Sequence, residues 1–265
     1  MGPKLIVCGA AGRMGRRILS LAIEADQFDI IGAVEKADHP DIGKDAGIVA
    51  GAGELGINIQ SEYPPGGEVV IDFSQPEGTD QTADYCLEQK AALILGTTGL
   101  SAKQHKKITE ASAKIPLIYG TNMSVGMNVL FATVGKVAKM LGEDYDVEIV
   151  EQHHRFKKDA PSGSALTLAE NICAQTGDYL DGTFTYGRSG KDAIRQKGTI
   201  GIHAVRAGDI AGVHDVIFST LGETITLSHN AHSRDNFARG ALRAAKWLAG
   251  KKPAQYSMAD VLGLK

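Results

Sequence analysis

The stretch Gly9-Ala10-Ala11-Gly12-Arg13-Met14-Gly15 decides the fold, because it joins a short apolar run, Leu5–Cys8, to a segment with helical periodicity. In a strand–turn–helix unit, the first glycine permits a tight turn and the second lets the backbone approach a pyrophosphate. The third lets the helix pack closely on the sheet, and the phosphates meet the helix N-terminus. The stretch therefore predicts a dinucleotide-binding βα unit. The helical periodicity rests on Met14, Ile18, Leu21, Ala22 and Ala25.

A second strand and an acidic residue support this interpretation. The spacing GxxGxxG departs from the commoner GxGxxG, so alone it also fits a glycine-rich turn without a ligand. Glu35 follows the strand-like run Ile30–Val34, about 20 residues after Gly15, where an acid would bind ribose hydroxyls. A solvated glutamate at a strand end is the alternative for Glu35 alone. Taken in order, these features predict binding of NADH or NADPH.

Lys36, next to Glu35, bears on the choice between the two cofactors. A cation here could hold the 2′-phosphate of NADPH, which a glutamate alone would repel. Lys36 also fits an ordinary surface lysine. The sequence leaves the preference for NADH or NADPH open.

The rest of the first 120 residues alternates strand-like and helix-like segments, which is typical of a doubly wound parallel sheet. We therefore predict an α/β, Rossmann-like domain. Ser101 with Gln104 forms a capping box for a helix that reaches Ala113, and Gly43–Gly56 is interpreted as a loop. The further segments are strands at Val69–Phe73, Leu93–Leu95 and Pro116–Tyr119 and a helix at Thr79–Lys90.

Two turns follow the later strands of this sheet. Ligands of open α/β sheets bind beyond the carboxyl ends of the strands, so both turns are candidates for the nicotinamide half of the cofactor. Without that positional argument, either would be an ordinary turn. The candidate residues are Gly96, Thr97 and Thr98 in the first turn, and Gly120, Thr121, Asn122 and Met123 in the second.

After Asn122 the pattern changes to a second, α+β domain. Three strand-like segments follow one another without helices between them, which predicts a sheet with mainly antiparallel pairing. We place a dinucleotide-binding domain at residues 1–122 plus 234–265, and a substrate-binding and oligomerisation domain at 123–233. The segments are a helix with Leu130, Val134, Val137, Ala138 and Leu141 on one face, a strand at Asp146–Val150, a helix at Ala165–Ala174, strands at Thr199–Val205, Val213–Thr220 and Glu223–Ser228, and a closing helix at Asp235–Ala249.

Composition excludes several classes of protein. The chain has 265 residues, 43% of them hydrophobic, and a net charge of −3, which gives no electrostatic footprint for nucleic acid. No apolar run approaches the roughly 18 residues that a membrane span needs. Three cysteines lie far apart, and the first residues lack a signal-peptide layout, so we expect a reduced, cytoplasmic setting.

The polar segment Glu151–Ser164 carries the densest functional pattern, with two adjacent histidines and three cations. Histidine and lysine suit proton transfer near neutral pH, and clustered cations suit an anionic substrate. The turn Ser162-Gly163-Ser164 leads into a helix, so its N–H groups could receive a carboxylate.

Three other interpretations of this segment compete. Adjacent histidines on an extended chain point in opposite directions, and no HExxH pattern is present, so we expect no metal. A serine nucleophile would need a GxSxG elbow, which the chain lacks. A solvated basic loop stays open on composition alone. Four further histidines, taken singly, are expected to be structural or exposed: His203, His214, His229 and His232.

The run EQHHRFKKDAPSGSA at 151–165 resembles the signature of the bacterial dihydrodipicolinate reductase family, whose members reduce a cyclic imine dicarboxylate in lysine and diaminopimelate biosynthesis. The resemblance extends over nearly the whole chain. It includes GAAGRMG at 9–15, IDFSQPEGT at 71–79, GTTG at 96–99, NMSVGMNV at 122–129 and TIGIHAVRAGDIAGVHDVIF at 199–218.

The resemblance implies roles for particular residues. It implies that His153 donates or accepts a proton, that Lys157 is a second proton donor, and that the protein is a homotetramer. It implies substrate contacts by His154, Gly163 and Ser164, and cofactor contacts by Gly9–Met14, Glu35, Lys36, Gly96–Thr98 and Gly120–Met123.

The sequence departs from the family pattern at two residues, and two rival functions are possible. Lys36 stands where many relatives carry Arg, which loses a bidentate grip on a 2′-phosphate, and Ser164 replaces the usual Thr but keeps the hydroxyl. Another two-domain reductase, such as a semialdehyde dehydrogenase, would need a catalytic cysteine, and Cys173 lacks a suitable context. A non-catalytic NAD(P) sensor should lack the cluster of His153, His154 and Lys157.

Overall fold

The computed structural model describes residues 2–177 and 184–264, and the chain divides into two compact units. The first unit extends to Val125 and resumes at Arg234, and the second comprises Gly126–Ser233. The sequence analysis placed the two breaks after residue 122 and before residue 234. Within the described residues, no helix is both long and apolar enough to cross a membrane.

The first unit contains a seven-stranded sheet in which every pairing is parallel. This confirms the predicted Rossmann-like α/β fold. The strands are β1 (Lys4–Cys8), β2 (Asp29–Val34), β3 (Ile59–Gln60), β4 (Val69–Asp72), β5 (Ala92–Leu95), β6 (Pro116–Tyr119) and β12 (Ala254–Tyr256), and their order is β12-β6-β5-β4-β1-β2-β3. Strand β4 is therefore the central one.

Helices of the first unit follow the predicted order, with two additions. The capping box of Ser101 and Gln104 is confirmed at the start of α4. The interpretation of Gly43–Gly56 as a loop is wrong in its middle, where the Asp45 carboxylate accepts the Ile48 N–H at 2.9 Å and so caps a short helix. The helices are α1 (Arg13–Ala25), α2 (Ala46–Ala50), α3 (Thr79–Gln89), α4 (Ala102–Ser112), α7 (Asp235–Leu248) and α8 (Met258–Leu262).

The second unit contains a five-stranded mixed sheet. The strands are β7 (Asp146–His153), β8 (Phe184–Tyr186), β9 (Ile200–Arg206), β10 (Gly212–Thr220) and β11 (Glu223–Ala231), in the order β11-β10-β7-β9-β8. Strand β10 pairs antiparallel with β7 and β11, whereas β9 pairs parallel with β7 and β8. The α+β class is confirmed. The expectation of mainly antiparallel pairing is wrong for β9, which pairs only in parallel. The chain between β7 and β9 includes a helix, and such a connection allows a parallel crossover.

One face of this mixed sheet packs against two helices, α5 (Val125–Leu141) and α6 (Gly163–Thr176). The predicted apolar face of α5 is confirmed, since Leu130, Val134 and Ala138 are buried. On the central strand β7, alternate residues face the helices, beginning with the buried Val147 and Ile149. The same alternation brings Glu151 and His153 to the helix-covered face.

Candidate active site

The glycine turn of the first unit lets neighbouring segments of backbone lie very close to Gly9 and Gly15. Gly9 has a φ of +71°, and a Cβ there would lie 2.9 Å from the Phe73 carbonyl oxygen. A Cβ at Gly15 would overlap the Gly9 carbonyl oxygen, so this glycine lets α1 pack against the turn. Gly12 is the N-cap of α1 and has no side chain with which to cap it. No side chain of the N-cap residue therefore competes for the first N–H groups of the helix, which are the groups that bind phosphate in such turns.

Glu35 is tied to this glycine turn. Its Oε2 accepts the Ala11 N–H at 3.3 Å and its Oε1 accepts the Lys36 N–H at 3.0 Å. The Lys36 side chain is exposed, and its Nζ lies 3.3 Å from the Asp38 carboxylate. A cavity of about 920 Å³ borders Gly9, Glu35 and Lys36. Its size is that of a site for a drug-sized or nucleotide ligand.

A buried carboxyl group, Asp72, fixes the two loops beside this cavity. It is fully buried at the end of β4 and accepts the Ser74 N–H at 2.7 Å. The Thr82 hydroxyl donates to it at 2.7 Å, and the Thr97 hydroxyl at 3.3 Å. The loop after β4 and the loop after β5 are thereby held to one group. Sequence analysis did not single out Asp72, although a charged residue at the end of a buried apolar run is a visible pattern.

The predicted cofactor residues after β5 and β6 differ in what they can offer. Thr97 is only 3% exposed and its hydroxyl points to Asp72 and the Ser74 carbonyl, so this side chain holds the loop in place. Met123 is also buried, with its side chain in the core. Thr98 and Thr121 are exposed, and the Asn122 side chain accepts the Ser124 N–H at 2.9 Å.

In the second unit, His153 ends strand β7 and contacts a buried carboxylate. Its Nδ1 lies 2.5 Å from Glu151 Oε2, and its side chain is 12% exposed. Arg206, on the neighbouring strand β9, donates to both Glu151 oxygens at 2.8 and 2.7 Å. The Ser162 N–H, just before α6, donates to Glu151 Oε1 at 3.0 Å.

These contacts explain the acidity of Glu151. Burial alone would raise the pKa of this carboxyl group, but hydrogen bonds from His153, Arg206 and the Ser162 N–H lower its pKa to about 2. Glu151 is therefore ionised at neutral pH. Sequence analysis included Glu151 in the polar segment but gave no role to it or to Arg206, although the strand alternation of β7 could have indicated that Glu151 lies beside His153.

His214 completes the cluster from strand β10, where it pairs directly with Glu151. It is 3% exposed, its Nε2 lies 3.3 Å from the Ser162 hydroxyl, and its ring centroid lies 5.2 Å from that of His153. Burial, followed by the charge of His153, lowers the pKa of His214 to about 3. It was expected to be a structural or exposed histidine, and it is a buried neighbour of His153.

The remaining predicted substrate residues lie in the loop after β7 and at the start of α6. Lys157 Nζ lies 2.9 Å from the Asp159 carboxylate, and the Lys157 N–H donates to the His154 carbonyl at 3.1 Å. Ser162 is the N-cap of α6, with its hydroxyl accepting the Ala165 N–H at 3.2 Å. Gly163 is the first helical residue, and a Cβ there would meet no atom within 4 Å. Open space therefore lies in front of the N-terminus of α6.

Among residues 2–177 and 184–264, no three His, Cys, Asp or Glu side chains are grouped so that they could hold a metal ion.

A glycine turn on a parallel sheet, with a histidine–carboxylate pair in a second α+β unit, defines a nicotinamide-dependent oxidoreductase of the two-domain class. The chain belongs to the dihydrodipicolinate reductase family: the family's N-terminal model matches residues 3–123 and its C-terminal model matches residues 126–262.

Individual relatives agree with this assignment. The chain is 48% identical to the 4-hydroxy-tetrahydrodipicolinate reductase of Syntrophus aciditrophicus (strain SB) and 45% identical to that of Geotalea daltonii, with 99% of each chain covered in both comparisons. Among solved structures, the dipicolinate-bound dihydrodipicolinate reductase of Paenisporosarcina sp. TG-14 has the same fold. The TM-score is 0.75 at 19% identity, with 98% of this chain and 99% of that chain covered.

Proposed function

We propose that the chain reduces 4-hydroxy-tetrahydrodipicolinate, via dihydrodipicolinate, to tetrahydrodipicolinate with NADH or NADPH, in lysine and diaminopimelate biosynthesis. The observation that carries the proposal is the Glu151 carboxylate, which contacts both His153 and the Ser162 N–H. It links an imidazole suited to proton transfer to a helix N-terminus suited to a carboxylate. The full-length relatives that carry this reductase name support it.

The first unit is proposed to hold the cofactor, which when bound supplies the hydride. The glycine turn from Gly9 to Met14 would receive the pyrophosphate, and Glu35 the ribose hydroxyls. The turns Gly96–Thr98 and Gly120–Met123 would contact the nicotinamide half. Lys36 pairs with Asp38 and lies beside Glu35, so the local charge favours NADH over NADPH.

The second unit is proposed to hold the substrate and supply the proton. Burying an unpaired carboxylate is costly, so each carboxylate of the substrate needs donors. The N–H groups of Gly163 and Ser164, reinforced by the helix dipole, would meet one carboxylate, and His154 and Lys157 the other. After hydride addition the ring needs a proton, and His153 and Lys157 are the available acids. Homotetrameric assembly and a cytoplasmic location are proposed from the resemblance to the family.

The direct test is an assay of NADH and NADPH oxidation with freshly prepared substrate. Pyridine-2,6-dicarboxylate, a planar mimic with both carboxylates, should compete with substrate but not with NADH. Its analogue with one carboxylate should inhibit much more weakly, because one set of donors is left without a partner. Absence of substrate-dependent oxidation with either cofactor would refute the proposed reaction, and equal inhibition by both acids would refute the two-ended binding.

The variant Gly163→Ala tests the location of the substrate carboxylate. A Cβ at this position enters open space, so the folded chain should tolerate it and the helix should be stabilised slightly. The added methyl group would occupy space beside the N–H groups where the carboxylate is proposed to bind. We therefore expect KM for the substrate to rise about tenfold, a loss of about 1.4 kcal/mol of binding, while KM for NADH is unchanged. An unchanged substrate KM would place the carboxylate elsewhere.

A further inference from the structure

Glu151 occupies a position where the strand pattern calls for an apolar residue. Val147 and Ile149 precede it on the same face of β7 and are buried in the core of the second unit. Its carboxylate is itself fully buried. A buried charge is costly unless it is well paired, and replacement by an apolar residue is often neutral or stabilising. A carboxylate here therefore suggests a task besides stability.

The geometry at His153 indicates that task. An ionised carboxylate only accepts hydrogen bonds, so the Nδ1 of His153, 2.5 Å from Glu151 Oε2, carries the proton between them. The Nε2 atom points elsewhere, because a Cβ added at Gly212 would lie 3.2 Å from it. Nε2 is thus the nitrogen left to exchange a proton with a substrate.

The same carboxylate reaches the start of α6. Glu151 Oε1 accepts the Ser162 N–H at 3.0 Å, and Ser162 is the N-cap residue of that helix. Arg206 holds both carboxylate oxygens in a bidentate pair and also donates to the Asp159 carbonyl at 2.6 Å. One anchored group thereby fixes the imidazole and the helix N-terminus against each other.

We propose that Glu151, anchored by Arg206, is the positioning residue of this site: it holds His153 with Nδ1 protonated and Nε2 free to transfer the proton, in register with the N-terminus of α6. The inference rests on the proposed function for the identity of the reaction. The position of the proton on His153 can be tested without it.

Glu148 provides a matched control on the same strand. It lies three residues before Glu151 and binds a similar set of partners, with Arg188 in a bidentate pair at 2.9 and 2.8 Å and His203 Nε2 at 2.6 Å. Strand alternation places it on the opposite face of the sheet. Removal of the charge at Glu148 therefore measures the effect of losing a carboxylate with several hydrogen bonds from β7, without disturbing His153.

The first experiment compares Glu151→Gln with Glu148→Gln. We expect kcat of Glu151→Gln to fall on the order of 10²-fold, the lower end of what positioned proton transfer contributes. The dissociation constant of NADH should stay within about twofold in both variants, because neither residue belongs to the first unit. Glu148→Gln should keep kcat within about threefold of wild type, whatever its loss of stability. Equal kcat losses in the two variants at equal loss of stability would reduce Glu151 to a structural role.

The second experiment needs no variant of Glu151 and so does not depend on the folding of one. In wild-type protein with ¹⁵N-labelled histidine, assigned by comparison with His153→Gln, Nδ1 of His153 should carry the proton that it shares with Glu151. Its proton resonance should be shifted strongly downfield by the short bond to Glu151. In folded Glu151→Gln that resonance should move upfield, and in Glu148→Gln it should stay.

Failure of the positioning role and failure of the proposed reaction would give different results. A wild-type His153 with its proton on Nε2 instead of Nδ1 would overturn the positioning role even if the enzyme reduces the proposed substrate. Conversely, a protonated Nδ1 that depends on Glu151 in a protein inactive on that substrate would uphold the positioning role and refute the proposed reaction.

Discussion

Among the described residues, each unit has one fully buried carboxyl group near the carboxyl end of its central strand, and the two groups have different surroundings. Asp72 on β4 receives neutral donors in the described part of the chain: the Ser74 N–H and the hydroxyls of Thr82 and Thr97. Glu151 on β7 receives a guanidinium and an imidazole as well as one N–H.

The difference follows from what each unit is proposed to supply. In the first unit the cofactor performs the hydride chemistry, so the protein needs only loops held in fixed positions, and neutral donors achieve that. In the second unit the side chains themselves would transfer the proton, so the buried carboxylate would also have to fix which nitrogen of His153 carries a proton. Variants of the two groups should therefore fail in opposite ways.

The largest expected effect comes from the acids that distinguish the second unit. His153→Ala and Lys157→Ala should each lower kcat by about 10²–10⁴, the usual contribution of positioned proton transfer. The NADH dissociation constant, measured by fluorescence titration, should barely change. If the two residues share one proton-transfer step, the double variant should lose far less than the product of the single losses. Near-normal turnover in either single variant would contradict its role as an acid.

Asp72→Ala should show the opposite pattern from Glu151→Gln. Three donors, two of them buried hydroxyls, lose their acceptor, which should lower the free energy of unfolding by about 3 kcal/mol. NADH should bind at least about tenfold more weakly because the loops after β4 and β5 are released, while kcat at saturating NADH stays near wild type. The control is Asp84→Ala on α3, where an exposed ion pair with Lys107 is lost at a cost of about 0–1 kcal/mol. A loss of kcat with unchanged NADH affinity would erase the contrast between the units.

Mild acid should weaken the cluster around Glu151 through His214. Burial lowers the pKa of His214 from 6.5 to about 3, so the unfolded chain binds more protons between these values and stability falls as the pH drops below 6.5. The loss at pH 5 should be about 2 kcal/mol. Glu151, with a pKa of about 2 against 4.5 unfolded, loses its contribution only as the pH falls below 4.5.

Urea unfolding at pH 7 and pH 5 separates this effect from others. His214→Gln, which can keep a hydrogen bond to Ser162, should show a pH dependence smaller by about 2 kcal/mol than that of wild type. His232→Gln, which removes an exposed histidine of the second unit, should leave the wild-type difference in place. Identical pH dependence of wild type and His214→Gln would exclude His214 as the source.

The smallest expected effects concern Glu35 and Lys36, two proposed cofactor contacts that do not involve Asp72. Glu35→Ala should weaken NADH more than NADPH, because two acceptors for ribose hydroxyls are lost. Lys36→Ala should do the reverse, because a point charge near the 2′-phosphate is lost. Each preference should change by about tenfold, or 1.4 kcal/mol. Equal weakening of both cofactors in each variant would remove these residues from any discriminating role.

Local sequence patterns were sufficient to predict most of the helices and strands of the first unit. The order of β1, the glycine turn, α1, β2 and Glu35 could be predicted because each step has its own chemical requirement. The short helix α2 was missed because Asp45 organises it through N–H groups inside the helix and beyond its end, including Leu55 at 3.1 Å, and the contact with Leu55 is not local. The last strand, β12, was missed because its three residues become a strand only by pairing with β6.

The site of the second unit was predictable only in part. The adjacent histidines and cations of the loop marked it, but Arg206 lies 55 residues from Glu151 and meets it through the parallel pairing of β7 with β9. The sequence analysis did not predict this parallel pairing. His214 was missed as a site residue for a different reason: the sequence does not give the register of β10 against β7, which places His214 opposite Glu151.

The route of the chain through the two units has a consequence for biosynthesis. The second unit is an insertion: the first unit stops at Val125 and resumes only at Arg234. Helix α7 then supplies Ala238, Ala241 and Leu248 to the hydrophobic core of the first unit, and β12 extends its sheet. During translation, the N-terminal half therefore leaves the ribosome with an unfinished core. All residues of the inserted unit have been synthesised before those of α7 and β12. The inserted unit can therefore fold on the ribosome while the cofactor-binding unit still lacks helix α7 and strand β12.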